Sequence, residues 1–208
     1  MTQRSLLWRW LQMPCRILTT LLFDLKVYGV RNVPRDGGVL ILSNHQSYLD
    51  PVLLAVRLYR PVSFLARSTL FRGGFGVLIR KLHAFPVNQD GFAKAALEET
   101  IRRLNEGHVL NVYPEGSRTK TGEIAPVQRG VALILRKAHV PVVIAAIDGS
   151  FEAWTKGRKL FKPYPIRVLY GKPMHLGHLR GEEMLRTIET ELHRLFNELR
   201  AMRSPDRQ

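Results

Sequence analysis

The sequence predicts an α/β fold: a mixed, largely parallel sheet flanked by helices, with an amphipathic helical segment at the N-terminus. Three observations predict it. Short apolar or β-branched runs alternate with stretches of helical periodicity. The chain opens on a Leu- and Trp-rich stretch interrupted by charges, and it closes on a long segment with apolar residues every three or four positions.

The opening stretch, SLLWRWLQMPCRILTTLLFDL, carries Arg9, Arg16 and Asp24 among its apolar residues. A membrane-crossing helix needs about 20 consecutive, mostly uncharged apolar residues. A secretory leader needs an unbroken apolar stretch and a small-residue cleavage site. Neither pattern is met. An amphipathic helix fits better, with Trp8 and Trp10 suited to a lipid interface and the arginines to lipid phosphates. Residues 1–25 are therefore read as a membrane-associating segment and 26–208 as one α/β domain.

Strands are expected at Val39–Ser43, Val62–Ala66, Ala84–Val87, Val109–Val112, Val140–Ile147 and Ile166–Tyr170. Helical periodicity falls at Pro51–Tyr59, Phe92–Asn105 and Val127–Ala138. The closing helix is the clearest, with Leu185, Ile188, Leu192, Leu195, Phe196 and Leu199 on one face.

A chain of 208 residues with 45% hydrophobic content can bury one sizeable core. Its net charge of +15 calls for anionic partners: phosphate ligands, an acidic membrane surface or nucleic acid. No helix-turn-helix or RNA-binding signature is present, so nucleic acid is not expected. Cys15 is the single cysteine, which excludes an intrachain disulfide and suits a reducing compartment. No Cys/His cluster has metal-ligand spacing, and no metal is expected.

Two stretches carry chemistry. In LSNHQSYLD an apolar strand stops at polar residues that set His45 five positions before Asp50. Loops at the carboxyl ends of strands are where α/β folds build sites. The spacing lets Asp50 fold back onto one imidazole nitrogen, which leaves the other free to accept a hydroxyl proton. The alternative is a helix start, with Ser47 and Asp50 as a capping box or Asp50-Pro51 as N-cap and first helical residue. In NVYPEGSRTKTGE, Pro114 and Gly116 turn the chain and leave Glu115, Ser117 and Arg118 in an exposed loop. Freed backbone N–H groups and an arginine suit a phosphate.

The order Asn-His-x4-Asp followed about seventy residues later by Tyr-Pro-Glu-Gly-Ser-Arg resembles the glycerolipid acyltransferase family, of which the 1-acylglycerol-3-phosphate acyltransferases are the best-known branch. The resemblance runs from about Val27 to Pro173. It implies that His45 is the catalytic base and Asp50 its orienting acid. It also implies that Glu115, Gly116, Ser117 and Arg118, with Asn44 and Gln89, bind the acceptor. GGFGVLIRKLHAFPVNQDG looks like the family's middle block and HVPVVIAAI like its fourth. The chain departs from the pattern at Gln89, where the family carries an arginine assigned to the acceptor phosphate.

The activity implied is O-acyl transfer from acyl-CoA or acyl-carrier protein to the free hydroxyl of 1-acylglycerol-3-phosphate, giving phosphatidic acid. No bound cofactor is implied. The implied partners are the lysophospholipid, the acyl donor and an anionic membrane surface, at the cytoplasmic face of the cell membrane. An apolar groove for the acyl chain is expected near Phe71–Phe75. Two alternatives stay open: another lysolipid acceptor, which Gln89 motivates, and a non-catalytic basic membrane-binding protein. A serine hydrolase is disfavoured, because no Gly-x-Ser-x-Gly elbow occurs.

Overall fold

The structure, a computed structural model, describes residues 6–87 and 94–203. Seven strands form one sheet: β1 (Lys26–Tyr28), β2 (Val39–Ser43), β3 (Val62–Arg67), β4 (Ala84–Val87), β5 (Val109–Val112), β6 (Val142–Asp148) and β7 (Arg167–Met174). Their order across the sheet is β1-β7-β6-β2-β5-β3-β4. All neighbours are parallel except β6 and β7, which run antiparallel with an irregularity between Val143 and Ala145. The sheet is thus mixed and largely parallel, as the alternation of elements predicts.

Among the described residues, seven α-helices accompany it: α1 (Leu6–Phe23), α2 (Asp50–Ala55), α3 (Gly73–Lys81), α4 (Lys94–Asn105), α5 (Gly130–Ala138), α6 (Ser150–Ala153) and α7 (Gly181–Arg203). They cover both faces of the sheet. Along β2, Leu40 and Leu42 point into a core completed by Leu104 of α4, Ile134 and Leu135 of α5, and Ile188, Leu192 and Phe196 of α7. Val39 and Ile41 point the other way, into a core with Trp8 and Phe23 of α1 and with Leu53 and Leu54 of α2. The period-two alternation of a fully buried strand supplies both layers at once.

Several elements differ from expectation: β7 runs on to Met174, α5 begins at Gly130, and α6 is not among the expected helices. The segment expected to be helical over Pro51–Tyr59 ends at Ala55, because the chain turns at Val56 and Arg57 towards Pro61 and β3. Strand β1 has only three residues, too few for a periodic signal. Helix α3 lies in a glycine-rich stretch whose weak helix propensity masks it in the sequence.

Helix α1 is two-faced. Trp8, Thr19 and Phe23 are buried, while Trp10, Met13, Ile17 and Leu21 are exposed along the opposite stripe. Gln12 ties the helix down by donating its Nε2–H to Leu58 O at 2.7 Å. Among the described residues, no helix is long and apolar enough to cross a membrane.

Candidate active site

The three central strands β6, β2 and β5 run parallel, so their carboxyl ends open onto one edge of the sheet. Each feeds a polar loop there. Ser43 leads to Asn44 and His45, Val112 leads to Tyr113 and Glu115, and Asp148 leads to Gly149 and Ser150. Topology brings together residues about 70 and 105 positions apart.

His45 Nδ1 lies 2.7 Å from Asp50 Oδ2. The same oxygen accepts the backbone N–H of Gln46 and of Ser47, each at 2.7 Å. Asp50 Oδ1 accepts the hydroxyl of Ser150 at 2.8 Å. A fully buried carboxylate is costly unless its oxygens are met by donors, and here four donors converge on it. Facing an acceptor, Nδ1 carries the proton, and the Nε2 lone pair is left without a partner among the described residues. The His45 side chain is 19% exposed, whereas Asp50 has no exposure. The pair is therefore a base with one open edge on a fixed, buried anion.

Asp50 is not the helix cap that its neighbours suggest. Leu49 occupies the N-cap without a side-chain bond, Asp50 is already helical, and its carboxylate folds back over the preceding loop. Ser47 is committed elsewhere: its hydroxyl donates to Trp154 O at 2.7 Å.

The second motif is bolted to the first. Glu115 is 5% exposed, not part of an exposed loop. Its Oε1 accepts the backbone N–H of His45 at 2.7 Å and its Oε2 that of Ala125 at 2.8 Å. Thr119 N–H donates to His45 O at 2.8 Å, and Gln46 Nε2–H donates to Gly122 O at 2.8 Å. Burial, joined by the negative charge of Asp50, pushes the Glu115 carboxyl up to about 7 against the two N–H donors that favour its ionised form. Glu115 thus positions the His45 backbone, with each carboxylate oxygen engaged by a backbone N–H.

Asn44 takes a similar role. It is fully buried, donates to Ile147 O and accepts from Ile147 N–H, both at 2.8 Å, and so extends the β2–β6 ladder by one side chain. Expected to meet the acceptor, it instead braces the loop, because its whole amide is engaged by one backbone residue. Gly116 turns with φ +74°, and Ser117 beside it is exposed. Arg118 is half-buried, with its guanidinium 3.6 Å above the ring of Tyr48. Among the described residues it has no carboxylate partner, so its charge is available to an anion. Gln89 lies outside the described residues, as does the side chain of Phe75.

Two residues at the site are given no role by the sequence. Tyr113 stacks on the His45 ring, with centroids 3.7 Å apart and planes 11° from parallel. Ser150 reaches Asp50 from the end of β6, held by Gly149 at φ +89°, where any Cβ would meet Pro165 O at 2.1 Å. Gly-Ser after an apolar strand was the available clue. A concavity of about 850 Å³ lies elsewhere: it opens along the first turns of α7 beside Met174. Met174 pairs with Val142, at the opposite edge of the sheet from His45. Among the described residues no cluster of three His, Cys, Asp or Glu has the makings of a metal site.

Comparison with known proteins points to one family. A family described as Acyltransferase matches residues 24–148, more than half of the chain. The chain is 29% identical to a 1-acyl-sn-glycerol-3-phosphate acyltransferase of Bacillus subtilis, over 88% of this chain and 92% of the relative. It is 26% identical to an enzyme of the same description from Limnanthes douglasii, over 73% of this chain but 54% of that longer relative. The crystal structure of the 1-acyl-sn-glycerophosphate (LPA) acyltransferase, PlsC, from Thermotoga maritima superposes with a TM-score of 0.80 at 27% identity, covering 93% of this chain and 80% of that one.

Proposed function

The chain belongs to the acyltransferase family, and we propose that it acylates the free hydroxyl of 1-acylglycerol-3-phosphate to give phosphatidic acid, with acyl-CoA or acyl-carrier protein as donor. The observation that carries the reading is the His45–Asp50 pair at 2.7 Å, with Nε2 open at the carboxyl edge of the sheet.

In this reading the acceptor hydroxyl approaches His45 Nε2, which removes its proton as the oxygen attacks the thioester carbonyl. Asp50 holds the ring and balances the imidazolium that forms. The carbon–sulfur bond then breaks, and the thiolate leaves with the proton from His45. Arg118 supplies the cation for the acceptor phosphate, and the turn at Gly116 and Ser117 lies alongside it. The hydroxyls of Ser47 and Ser150 are turned away from His45: Ser47 donates to Trp154 O and Ser150 to Asp50.

Acceptor and product are lipids, and the exposed stripe of α1 together with a net charge of +15 suits an anionic membrane surface. We place the protein at the cytoplasmic face, in keeping with a single free cysteine.

The test is thiol release from acyl-CoA by the purified protein in mixed micelles, with lysophosphatidic acid, with zwitterionic or neutral lysolipids, and with a His45→Ala control. Labelled phosphatidic acid that requires lysophosphatidic acid and disappears in the control is the expected result. Turnover with a different lysolipid alone would overturn the acceptor and keep the chemistry. Vesicle binding without turnover on any acceptor and either donor would favour a non-catalytic membrane protein.

A further inference from the structure

Between α6 and β7 the chain makes an excursion that the proposed chemistry leaves unused. Every residue from 156 to 163 is exposed: Lys156, Gly157, Arg158, Lys159, Leu160, Phe161, Lys162 and Pro163. Four are cations and none is acidic. Among the described residues none of the four has a carboxylate within ion-pair distance. Two large apolar side chains project among them, Leu160 at 77% exposure and Phe161 at 43%.

The excursion is built rather than loose. Trp154 Nε1–H donates to Arg158 O at 2.9 Å, Arg158 N–H to Thr155 O at 3.2 Å, and Lys162 N–H to Ala153 O at 2.9 Å. Its base is wired to two other places. Phe161 meets Phe23, the last residue of α1, edge to face at 5.6 Å. Trp154 contacts the ring of Tyr48, which lies under Arg118, and Trp154 O accepts the Ser47 hydroxyl. The loop therefore joins the end of α1 to the strand-end loop that carries His45.

We propose that residues 156–163 are a second bilayer-docking element, in which Leu160 and Phe161 enter the apolar edge of the membrane while Lys156, Arg158, Lys159 and Lys162 engage anionic lipid headgroups. Charge complementarity selects the occupant. The Arg158 guanidinium meets the carbonyl of Glu152, and Lys162 lies over the Tyr164 ring. A cation cluster of this kind, set around two exposed apolar side chains, matches a lipid interface, where headgroup phosphates and acyl chains lie within a few ångströms of each other. A protein groove would have to supply both. The inference rests on the reading that the acceptor resides in a bilayer, and it adds a consequence. Docking through this loop fixes the Tyr48–Arg118 side of the site against the membrane, where a lysolipid headgroup enters.

The experiment is co-sedimentation of the full chain with phosphatidylcholine vesicles, with and without phosphatidylglycerol. Replacing Lys156, Lys159 and Lys162 together by Gln weakens binding to the anionic vesicles by at least about tenfold, since each cation near such a surface is worth roughly fivefold. It leaves the weaker binding to phosphatidylcholine alone. Leu160→Ser, at a side chain outside both cores, weakens binding to both kinds of vesicle. An anionic preference that survives the triple replacement overturns the proposal. So does a triple variant that binds vesicles normally but shows a raised KM for acyl-CoA with a monomeric short-chain acceptor, which would give these cations to the donor phosphates. Vesicle binding needs no turnover, so failure of the acyltransferase reading and failure of the docking element register in separate measurements.

Discussion

The imidazole of His45 lies face to face with the phenol ring of Tyr113, 3.7 Å between centroids and 11° from parallel. An aromatic face is electron-rich, so it favours an imidazolium above it over a neutral ring. In the proposed reaction that imidazolium forms as the hydroxyl attacks. Tyr113→Leu therefore lowers kcat by about 3- to 30-fold, the equivalent of a cation–π contact of roughly 0.5–2 kcal/mol. Tyr113→Phe, which keeps the stacked face, retains the wild-type kcat, whereas a role in packing volume alone would leave Tyr113→Leu equally active.

The Tyr113 hydroxyl separates packing from hydrogen bonding. It is buried without a partner among the described residues, and burial raises its ionisation well above the usual tyrosine value. Tyr113→Phe removes an unsatisfied polar group and keeps the stacked face. Expected are a gain of about 1 kcal/mol in unfolding free energy by urea titration, and wild-type turnover.

Ser150 sits on the far side of Asp50 from the imidazole and supplies the only donor to Oδ1 among the described residues. Ser150→Ala leaves that oxygen bare in a fully buried site. The expected effect is a fall in kcat of about tenfold with little change in the acceptor KM, from the loss of roughly 1.5 kcal/mol of charge-assisted hydrogen bonding. Steady-state kinetics over a range of acceptor concentrations separates the two terms. Asp50→Asn goes further, since an amide can favour the wrong imidazole tautomer, and lowers kcat by about 10³- to 10⁴-fold.

Glu115 makes stability depend on pH. Its carboxyl ionises near 4.5 in the unfolded chain and at about 7 in the folded one. Between these values the folded state holds a proton that the unfolded state has released. This contribution is therefore fully present below pH 4.5 and is lost as pH rises through 7. The difference corresponds to about 3 kcal/mol. Glu115→Gln cannot ionise, so its unfolding free energy lacks this decline. Urea denaturation of both proteins at pH 5 and pH 8 checks the sign: the gap between them shifts in favour of the variant at the higher pH. Because the amide presents only one acceptor atom, the variant also loses one of the two N–H contacts, and its turnover falls as the His45 backbone loosens.

Arg118 offers the clearest probe of the acceptor. Arg118→Lys keeps the charge but loses the planar stack on Tyr48. Arg118→Ala removes both. The acceptor KM rises by about 10- to 100-fold in the alanine variant and by less in the lysine variant, provided the acceptor carries a phosphate. Equal KM values for all three proteins would remove Arg118 from the acceptor site.

The sequence by itself determined the layer architecture, because buried strands and amphipathic helices each impose a period that survives in one dimension. Val39–Ser43, Ala84–Val87 and Val109–Val112 are strands at the bounds their apolar runs suggest. It also determined the His45–Asp50 pair, since five residues of loop and first helical turn bring the two together locally. What only the tertiary structure decided is which polar residues face outward. Asn44 and Glu115 read as ligand-binding residues, yet their side chains are taken up by Ile147, His45 and Ala125, contacts that exist only once β6, β2 and β5 lie side by side. Ser150 and Tyr113 enter the site for the same reason. A parallel sheet sets carboxyl ends together from strands far apart in the chain, and no local pattern records which loop residues then meet.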